Sequence, residues 1–333
     1  MSCGLDVGTS FIVLAKENDG NIQYKDFRDA FYTIKPSTPV ATKMIEKGLS
    51  GKVFIKDNDG SFILLGKDAI EKAIERNDTA KRPMYKGVVS SKEKDAKRIL
   101  AFILKEVVGT ASEPNEKLVF CVPAQPVDQE DDDFDVGYHE DVVKTVLSDC
   151  GYDARSINEA EALCYAELGE EDYTGIGISC GAGMTNVCIM LNGEPTVAFS
   201  TTKSGDWVDR MSAVATGEPD SVVQAEKEAG GFKVGEPNPN PVLSAVASYY
   251  ERLIEYTAKQ LSFALKNCKA LPKFKNPITI VIAGGTSQAD GYVEQLTKQL
   301  ELNNFPLAIK VVKHANDPLH AVAKGCLIAS NVL

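Results

Sequence analysis

Gly4-Leu5-Asp6-Val7-Gly8-Thr9-Ser10 opens the chain, and Gly177-Ile178-Ser179-Cys180-Gly181-Ala182-Gly183-Met184-Thr185 stands near its middle; set side by side, they decide the fold. Each reads as a short strand ending in small residues at a glycine turn, and each leads into a hairpin. After the first, Phe11 to Ala15 is apolar, Asn18-Asp19-Gly20 supplies a turn and Ile22 to Phe27 alternates. After the second, the chain turns at Asn192-Gly193 and returns through Thr196 to Phe199. The shared outline predicts a duplicated module. The length of 333 residues fits two domains at roughly 100–200 residues each.

Strands alternate with helices along the rest of the chain. A second hairpin is expected from Lys52 to Leu65, folded at Asp57-Asn58-Asp59-Gly60. That acidic stretch lacks a first ligand position and a closing Glu, so it reads as a turn rather than a calcium loop. Helical spacing runs from Lys92 to Val107, a buried strand from Leu118 to Val122, and a helix from about Tyr138 to Asp149 after an acidic loop, Asp128 to Asp135, read as a solvated surface. Beyond the middle hairpin come a helical region from Asp206, a break at Gly230 to Pro241, and a long helix from Val242 to about Cys268. A strand (Ile278 to Ala283), a helix (Gln288 to Glu301), a strand (Leu307 to Lys313) and a helix from Pro318 follow. This alternation predicts an α/β fold with helices covering mixed sheets.

Composition removes several functions. No apolar run approaches the roughly 20 residues that span a bilayer, and the start carries no secretory pattern. The chain therefore reads as cytoplasmic. A net charge of −11 without a basic run disfavours nucleic acid. The 8 cysteines contain no C-x-x-C pair and read as small core residues in a reducing compartment, and 3 histidines are too few and too scattered for a histidine-rich metal centre. Chemistry is left to carboxylates, hydroxyls and backbone amides.

A third glycine turn, Ala283-Gly284-Gly285-Thr286-Ser287, follows the strand at 278–283. Glycine at such positions lets amides approach an anion closely, although each turn alone is equally readable as a tight turn. None matches a P-loop or a dinucleotide fingerprint.

In order and spacing the three turns resemble the nucleotide-binding signature of the actin-like ATPase superfamily, over nearly the whole chain. The resemblance implies ATP or ADP and Mg²⁺ in a cleft between two duplicated ribonuclease-H-like domains. Asp6 matches the acidic residue that holds Mg²⁺ through water. Gly8, Thr9 and Ser10 match one phosphate loop, and Gly181, Ala182, Gly183, Met184 and Thr185 the other. Gly284, Gly285 and Thr286 match the adenosine loop, and Gly205-Asp206 the segment after the second hairpin. Glu226-Lys227 is a rough counterpart of the ribose-binding pair. Asn158-Glu159-Ala160-Glu161-Ala162 and the 317–325 segment resemble the two interdomain connectors. Arg82-Pro83-Met84-Tyr85-Lys86-Gly87-Val88-Val89 is similar to a segment of bacterial MreB and MamK and points to the filament-forming branch of MreB-, MamK- and ParM-like bacterial actins.

Two departures stand out. Ser179 occupies the place of a second Asp, which weakens the implied magnesium site. The position of the water-orienting Glu or Gln falls on His139, with Glu140 beside it; either could orient water, or both could be ordinary first-turn helix residues.

The resemblance places a first domain at residues 1–156, completed by a helix at 316–333 and carrying an insertion at about 33–90, and a second at 157–315. It implies a slow ATPase that polymerises with copies of itself, with no direct nucleic-acid contact, no indicated membrane attachment and an unknown adaptor. A non-polymerising nucleotide-binding scaffold, a chaperone-like ATPase and a sugar kinase are the alternatives.

Overall fold

The computed structural model describes residues 2–129, 134–269, 271 and 273–333. The first half begins with β1 (Ser2–Val7), β2 (Phe11–Asn18) and β3 (Asn21–Arg28). An insertion follows, built from β4 (Phe31–Ile34), α1 (Pro39–Gly48), β5 (Phe54–Lys56), β6 (Phe62–Leu65), α2 (Lys67–Glu75) and the short pair β7 (Met84–Tyr85) and β8 (Val88–Val89). Then come α3 (Ala96–Val108), β9 (Glu116–Val122), α4 (Val136–Asp149), β10 (Tyr152–Asn158) and α5 (Glu159–Glu167). The second half holds β11 (Gly175–Cys180), β12 (Thr185–Leu191), β13 (Glu194–Thr201), α6 (Gly205–Thr216), α7 (Asp220–Ala229) and α8 (Pro241–Asn267). It ends with β14 (Ile278–Ala283), α9 (Tyr292–Leu302), β15 (Ile309–His314) and α10 (Ala321–Val332).

The duplication read from the two glycine turns is present in the sheets. One has the order β3-β2-β1-β9-β10 and the other β13-β12-β11-β14-β15. In both, the first three strands form an antiparallel meander and the last two join in parallel. β14 is buried along its whole length, as a parallel strand covered on both faces must be, which is why its sequence is an unbroken run of Ile, Val, Ala and one Thr.

Glycine sets the spacing between each sheet and its connector helix. A Cβ on Gly4 of β1 would lie 2.2 Å from the Leu327 amide of α10, and one on Gly177 of β11 would lie 2.7 Å from the Ala160 carbonyl of α5. These are equivalent positions of the two opening segments. α5 and α10 also pack on each other, and Ala160, Ala162, Cys164, Cys188, Ala321, Val322 and Cys326 belong to one buried cluster that joins the sheets. All the cysteines are free thiols and all but Cys268 are buried.

Several starts differ from expectation. The helix expected from Lys92 begins at Ala96, because Ser90 Oγ accepts the Lys92 amide in a turn. The helix expected from Gln288 begins at Tyr292, after a one-turn 3-10 helix at Gly285–Gln288, and the last starts at Ala321 rather than Pro318. α1 and α2 of the insertion were not foreseen. Asp57 to Gly60 is a turn: Asp57 Oδ1 accepts the Asn58 amide and Asp59 Oδ1 accepts the Ser61 amide. The acidic loop is not simply a solvated surface, since Asp128 accepts the Thr202 amide and the Tyr256 hydroxyl and straps the two halves together. Residues 130–133 of that loop lie outside the described residues. Among the described residues no helix is long and apolar enough to cross a membrane.

Candidate functional site

A cleft of about 570 Å³ opens between the two sheets, within the range of small-molecule sites. The three glycine turns meet there. Asp6, Gly8, Thr9 and Ser10 line it from the first half, and Gly181, Ala182, Gly183, Met184 and Asp206 from the second. Lys227, Gly284, Gly285 and Thr286, also expected, line it as well.

Two hairpins bring the first two turns face to face. The Gly8 amide is spent on Phe11 O at 3.0 Å and the Gly181 amide on Met184 O at 3.0 Å, each closing its own hairpin. The amides of Thr9, Ser10, Ala182 and Gly183 make no hydrogen bond among the described residues. Four amides without a protein partner beside one cleft are able to serve as an anion cradle. A Cβ at Gly183 would stand 2.5 Å from Thr9 Oγ1 and 3.0 Å from the Gly87 amide, which itself donates to Thr9 Oγ1 at 3.0 Å. Only glycine allows this approach. The third turn is bound to the second through the Gly181 carbonyl, which accepts Ser204 Oγ at 2.5 Å and Thr286 Oγ1 at 2.7 Å.

Beneath the turns lie two carboxylates, Asp6 and Glu159. Asp6 is held by the Cys121 thiol, which donates to Oδ1 at 3.1 Å. Burial raises its pKa above the ordinary carboxylate range. Glu159, the first residue of α5, receives Ser179 Oγ at 2.6 Å and Asn186 Nδ2 at 2.9 Å. Burial raises it as well, and the neighbouring Asp6 charge raises it further. Sequence reasoning saw Glu159 only as part of a connector. The Asn158 cap, which accepts the Ala160 and Glu161 amides, marks it as a helix start. Nothing in the linear pattern shows that helix aiming into the cleft, whereas the loss of the acid at Ser179 was a visible cue to look for another carboxylate. Among the described residues no group of three or more His, Cys, Asp and Glu side chains forms a protein-only metal cage. Two carboxylates under a phosphate cradle suit Mg²⁺, which takes one or two protein carboxylates together with substrate oxygens.

Other expected residues are placed elsewhere. His139 is fully buried inside α4, both ring nitrogens lack a partner, and burial lowers its pKa to about 4. Glu140 accepts Ser156 Oγ at 2.5 Å. Neither lines the cleft. Glu226 is tied to Asn240 Nδ2 at 2.8 Å, and it is Lys227 and Glu228 that face the cleft. Lys227 pairs with Asp209 at 2.7 Å. Burial raises Asp209 to about 6 against the pull of that lysine. Thr185 and Gly205 support rather than line the site: Thr185 Oγ1 donates to Ser204 Oγ at 3.2 Å, and a Cβ on Gly205 would meet Thr286 Oγ1 at 2.5 Å.

Two ion pairs cross the cleft. Arg82 Nη1 donates to Asp206 at 2.8 and 3.0 Å, with Nη2 on Gln224. Arg28 Nη2 holds both oxygens of Glu228 at 3.0 Å. Gly230, Gly231, Phe232, Tyr250 and Gln288 also line the cleft and add two aromatic rings to its wall.

Comparison with known proteins fits this geometry. A solved structure described as a MamK double helical filament aligns with TM-score 0.75 at 19% identity, covering 100% of this chain and 99% of that one. MreB5 of Spiroplasma citri bound to AMPPNP aligns with TM-score 0.68 at 16% identity, covering 99% and 96%. The ethanolamine utilization protein EutJ from Carboxydothermus hydrogenoformans aligns with TM-score 0.55 at 16% identity, covering 98% and 88%. No curated protein matches. The fold is that of the actin-like ATPases, two duplicated α/β domains around a cleft. A family model described as Volactin matches residues 1–330, and the chain belongs to the Volactin family.

Proposed function

We propose that this chain binds ATP with Mg²⁺ in the cleft, hydrolyses it slowly and assembles with copies of itself into nucleotide-dependent filaments. The observation that carries the reading is the pair of closely opposed glycine turns, with four unpartnered amides, that line one cleft together with Asp6 and Glu159. Amides on both sides suit a polyphosphate. The wall of Gly230, Gly231 and Phe232 beside Gln288 would receive the nucleoside, with Lys227 and Glu228 near the sugar.

Mg²⁺, when bound, would draw charge from the phosphate oxygens and so ease phosphoryl transfer. Asp6 and Glu159 would hold it, and Ser179 and Asn186 would fix the Glu159 carboxylate. Burial and the Asp6 charge oppose ionisation of Glu159, so it would supply a second negative charge, which Ser179 cannot, only with Mg²⁺ beside it. The domain limits follow the same reading, with residues 1–156 and 316–333 on one side of the cleft and 157–315 on the other. The likeness to a MamK filament supports self-assembly, and that to MreB5 bound to AMPPNP supports an adenine nucleotide. A scaffold that binds nucleotide without turning it over is the second reading, favoured by Ser179 and by the distance of His139 and Glu140 from the cleft.

Titration with a fluorescent ATP analogue, with and without Mg²⁺, together with sedimentation and phosphate release, tests both. Saturable Mg²⁺-dependent binding with ATP-dependent pelleting supports the first reading. Binding without pelleting or phosphate release establishes the scaffold.

A further inference from the structure

One cation of the cleft holds a partner that it can give up. Among the described residues Arg28 and Lys227 are the cations that line the cleft, against the acids Asp6, Glu159, Asp206, Glu228 and Asp290. Lys227 is committed. Its Nζ donates to Asp209 Oδ2 at 2.7 Å, and the two side chains are only 12% and 7% exposed. Moving Lys227 would strand Asp209 as a buried acid without its partner, a costly arrangement.

Arg28 differs. It pairs across β2 and β3 with Phe11, the residue that follows the first glycine turn, and its guanidinium lies 4.4 Å from the centre of the Phe11 ring. The Asp29 amide donates to Ser10 O at 3.0 Å and fixes the backbone beside that turn. From this seat Nη1 donates to Ser10 Oγ at 3.1 Å, while Nη2 donates to both Glu228 oxygens at 3.0 Å. The guanidinium is thus held next to the turn whose Thr9 and Ser10 amides have no partner. Glu228, by contrast, is 45% exposed and also accepts Gln224 Nε2 at 2.8 Å, so returning its carboxylate to water costs little.

We propose that Arg28 is a phosphate-binding residue, which leaves the Glu228 carboxylate for a phosphate of the nucleotide when the cleft fills. The proposal rests on the nucleotide reading above and adds to it a residue that lies outside all three glycine turns. A phosphate offers a guanidinium the same paired oxygens as a carboxylate, with more charge. The acids of the cleft repel a polyphosphate even after Mg²⁺ has neutralised part of its charge. Arg28 is the lining cation that can offset this repulsion without stranding a buried acid. Glu228 holds the place of the phosphate until the nucleotide arrives.

Displacement of the fluorescent ATP analogue by ATP and by adenosine, with Mg²⁺ present, is the measurement. The ratio of the two affinities isolates the phosphates, because contacts to base and sugar enter both. In Arg28→Gln the ratio should fall about 10- to 100-fold, the cost of losing a charge-assisted hydrogen bond. Arg28→Lys keeps the charge but loses the planar donors, and its ratio should fall less. Glu228→Gln should move the other way, raising the ratio by up to about fivefold, since the carboxylate no longer competes. Retained adenosine affinity shows that each variant is folded. A strap with a purely structural role would shift ATP and adenosine alike in all three variants, and an unchanged ratio would overturn the proposal while the nucleotide reading stands. A ratio that falls in Glu228→Gln as it does in Arg28→Gln would overturn the exchange of partners. If the parent does not bind the ATP analogue, the nucleotide reading is wrong and the role of Arg28 goes with it.

Discussion

Gly325 of α10 rests against the Ala162 carbonyl of α5 so closely that a Cβ there would lie 1.8 Å from the oxygen. The two connector helices therefore touch backbone to backbone between the domains. Gly325→Ala has no room and no flexible neighbour to displace. It should destabilise the fold by about 1–3 kcal/mol or more, the scale of overpacking in a tight core. Gly48→Ala, where a Cβ meets nothing within 4 Å, is the control and should be neutral or slightly stabilising. Thermal unfolding of the two variants checks the contrast, and equal melting temperatures would contradict it.

Gly183→Val should cost at least about tenfold in nucleotide affinity, because the new side chain displaces Thr9 and fills the cradle. Equilibrium binding of an ATP analogue is the readout. An unchanged affinity would remove the second turn from the site.

Glu159→Gln keeps the shape of the residue but removes its charge and replaces one of the two oxygens that accept from Ser179 and Asn186 with an NH2 donor. Mg²⁺-dependent phosphate release should fall by about 10²-fold, the usual cost of losing one electrostatic group in phosphoryl transfer. Without Mg²⁺ the variant should be no less stable than the parent, since burial opposes ionisation of this carboxyl. His139→Leu and Glu140→Ala, by contrast, should leave phosphate release unchanged.

His139 also predicts a pH effect. Its folded pKa of about 4 lies below the ordinary histidine value of 6.5, so in that window the unfolded chain binds more protons. Stability should therefore rise with pH between the two values, and be lost as pH falls through them. In His139→Leu that part of the acid sensitivity should vanish, with higher stability at pH 5. A parent and variant that lose stability in parallel on acidification would show that His139 titrates normally.

Arg82 and Asp206 are partly buried, at 22% and 34% side-chain exposure. Arg82→Gln leaves the acid facing the cleft without its bidentate partner, next to the raised Asp209. It should lower stability by about 1–3 kcal/mol, less than a fully buried pair would cost. Small-angle scattering should also show a wider nucleotide-free particle; an identical profile would mean that the pair does not restrain the cleft.

The duplication was legible because glycine and small residues recur at equivalent places for a geometric reason: Gly4 and Gly177 each seat a connector helix on the first strand of a sheet. The meeting of the three glycine turns at one cleft was legible for the same reason. What stayed hidden depends on how whole elements aim. Glu159 becomes a cleft residue only through the direction of α5. His139 and Glu140 were aligned by counting along a helix whose rotation no local pattern reveals. The choice of Lys227 and Glu228 over Glu226 turns on which face α7 presents. Arg28 and Arg82 carry no motif that names a partner across a gap of more than a hundred residues.

The Asn158 cap has a mechanical meaning. Glu159, the group that would answer to the nucleotide, is the first residue of the same rigid rod whose middle rests on Gly325. A push on the carboxylate is thus applied at the head of a lever whose fulcrum lies between the domains. If the cleft holds a nucleotide as proposed, the state of one phosphate would in this way become an angle between the domains.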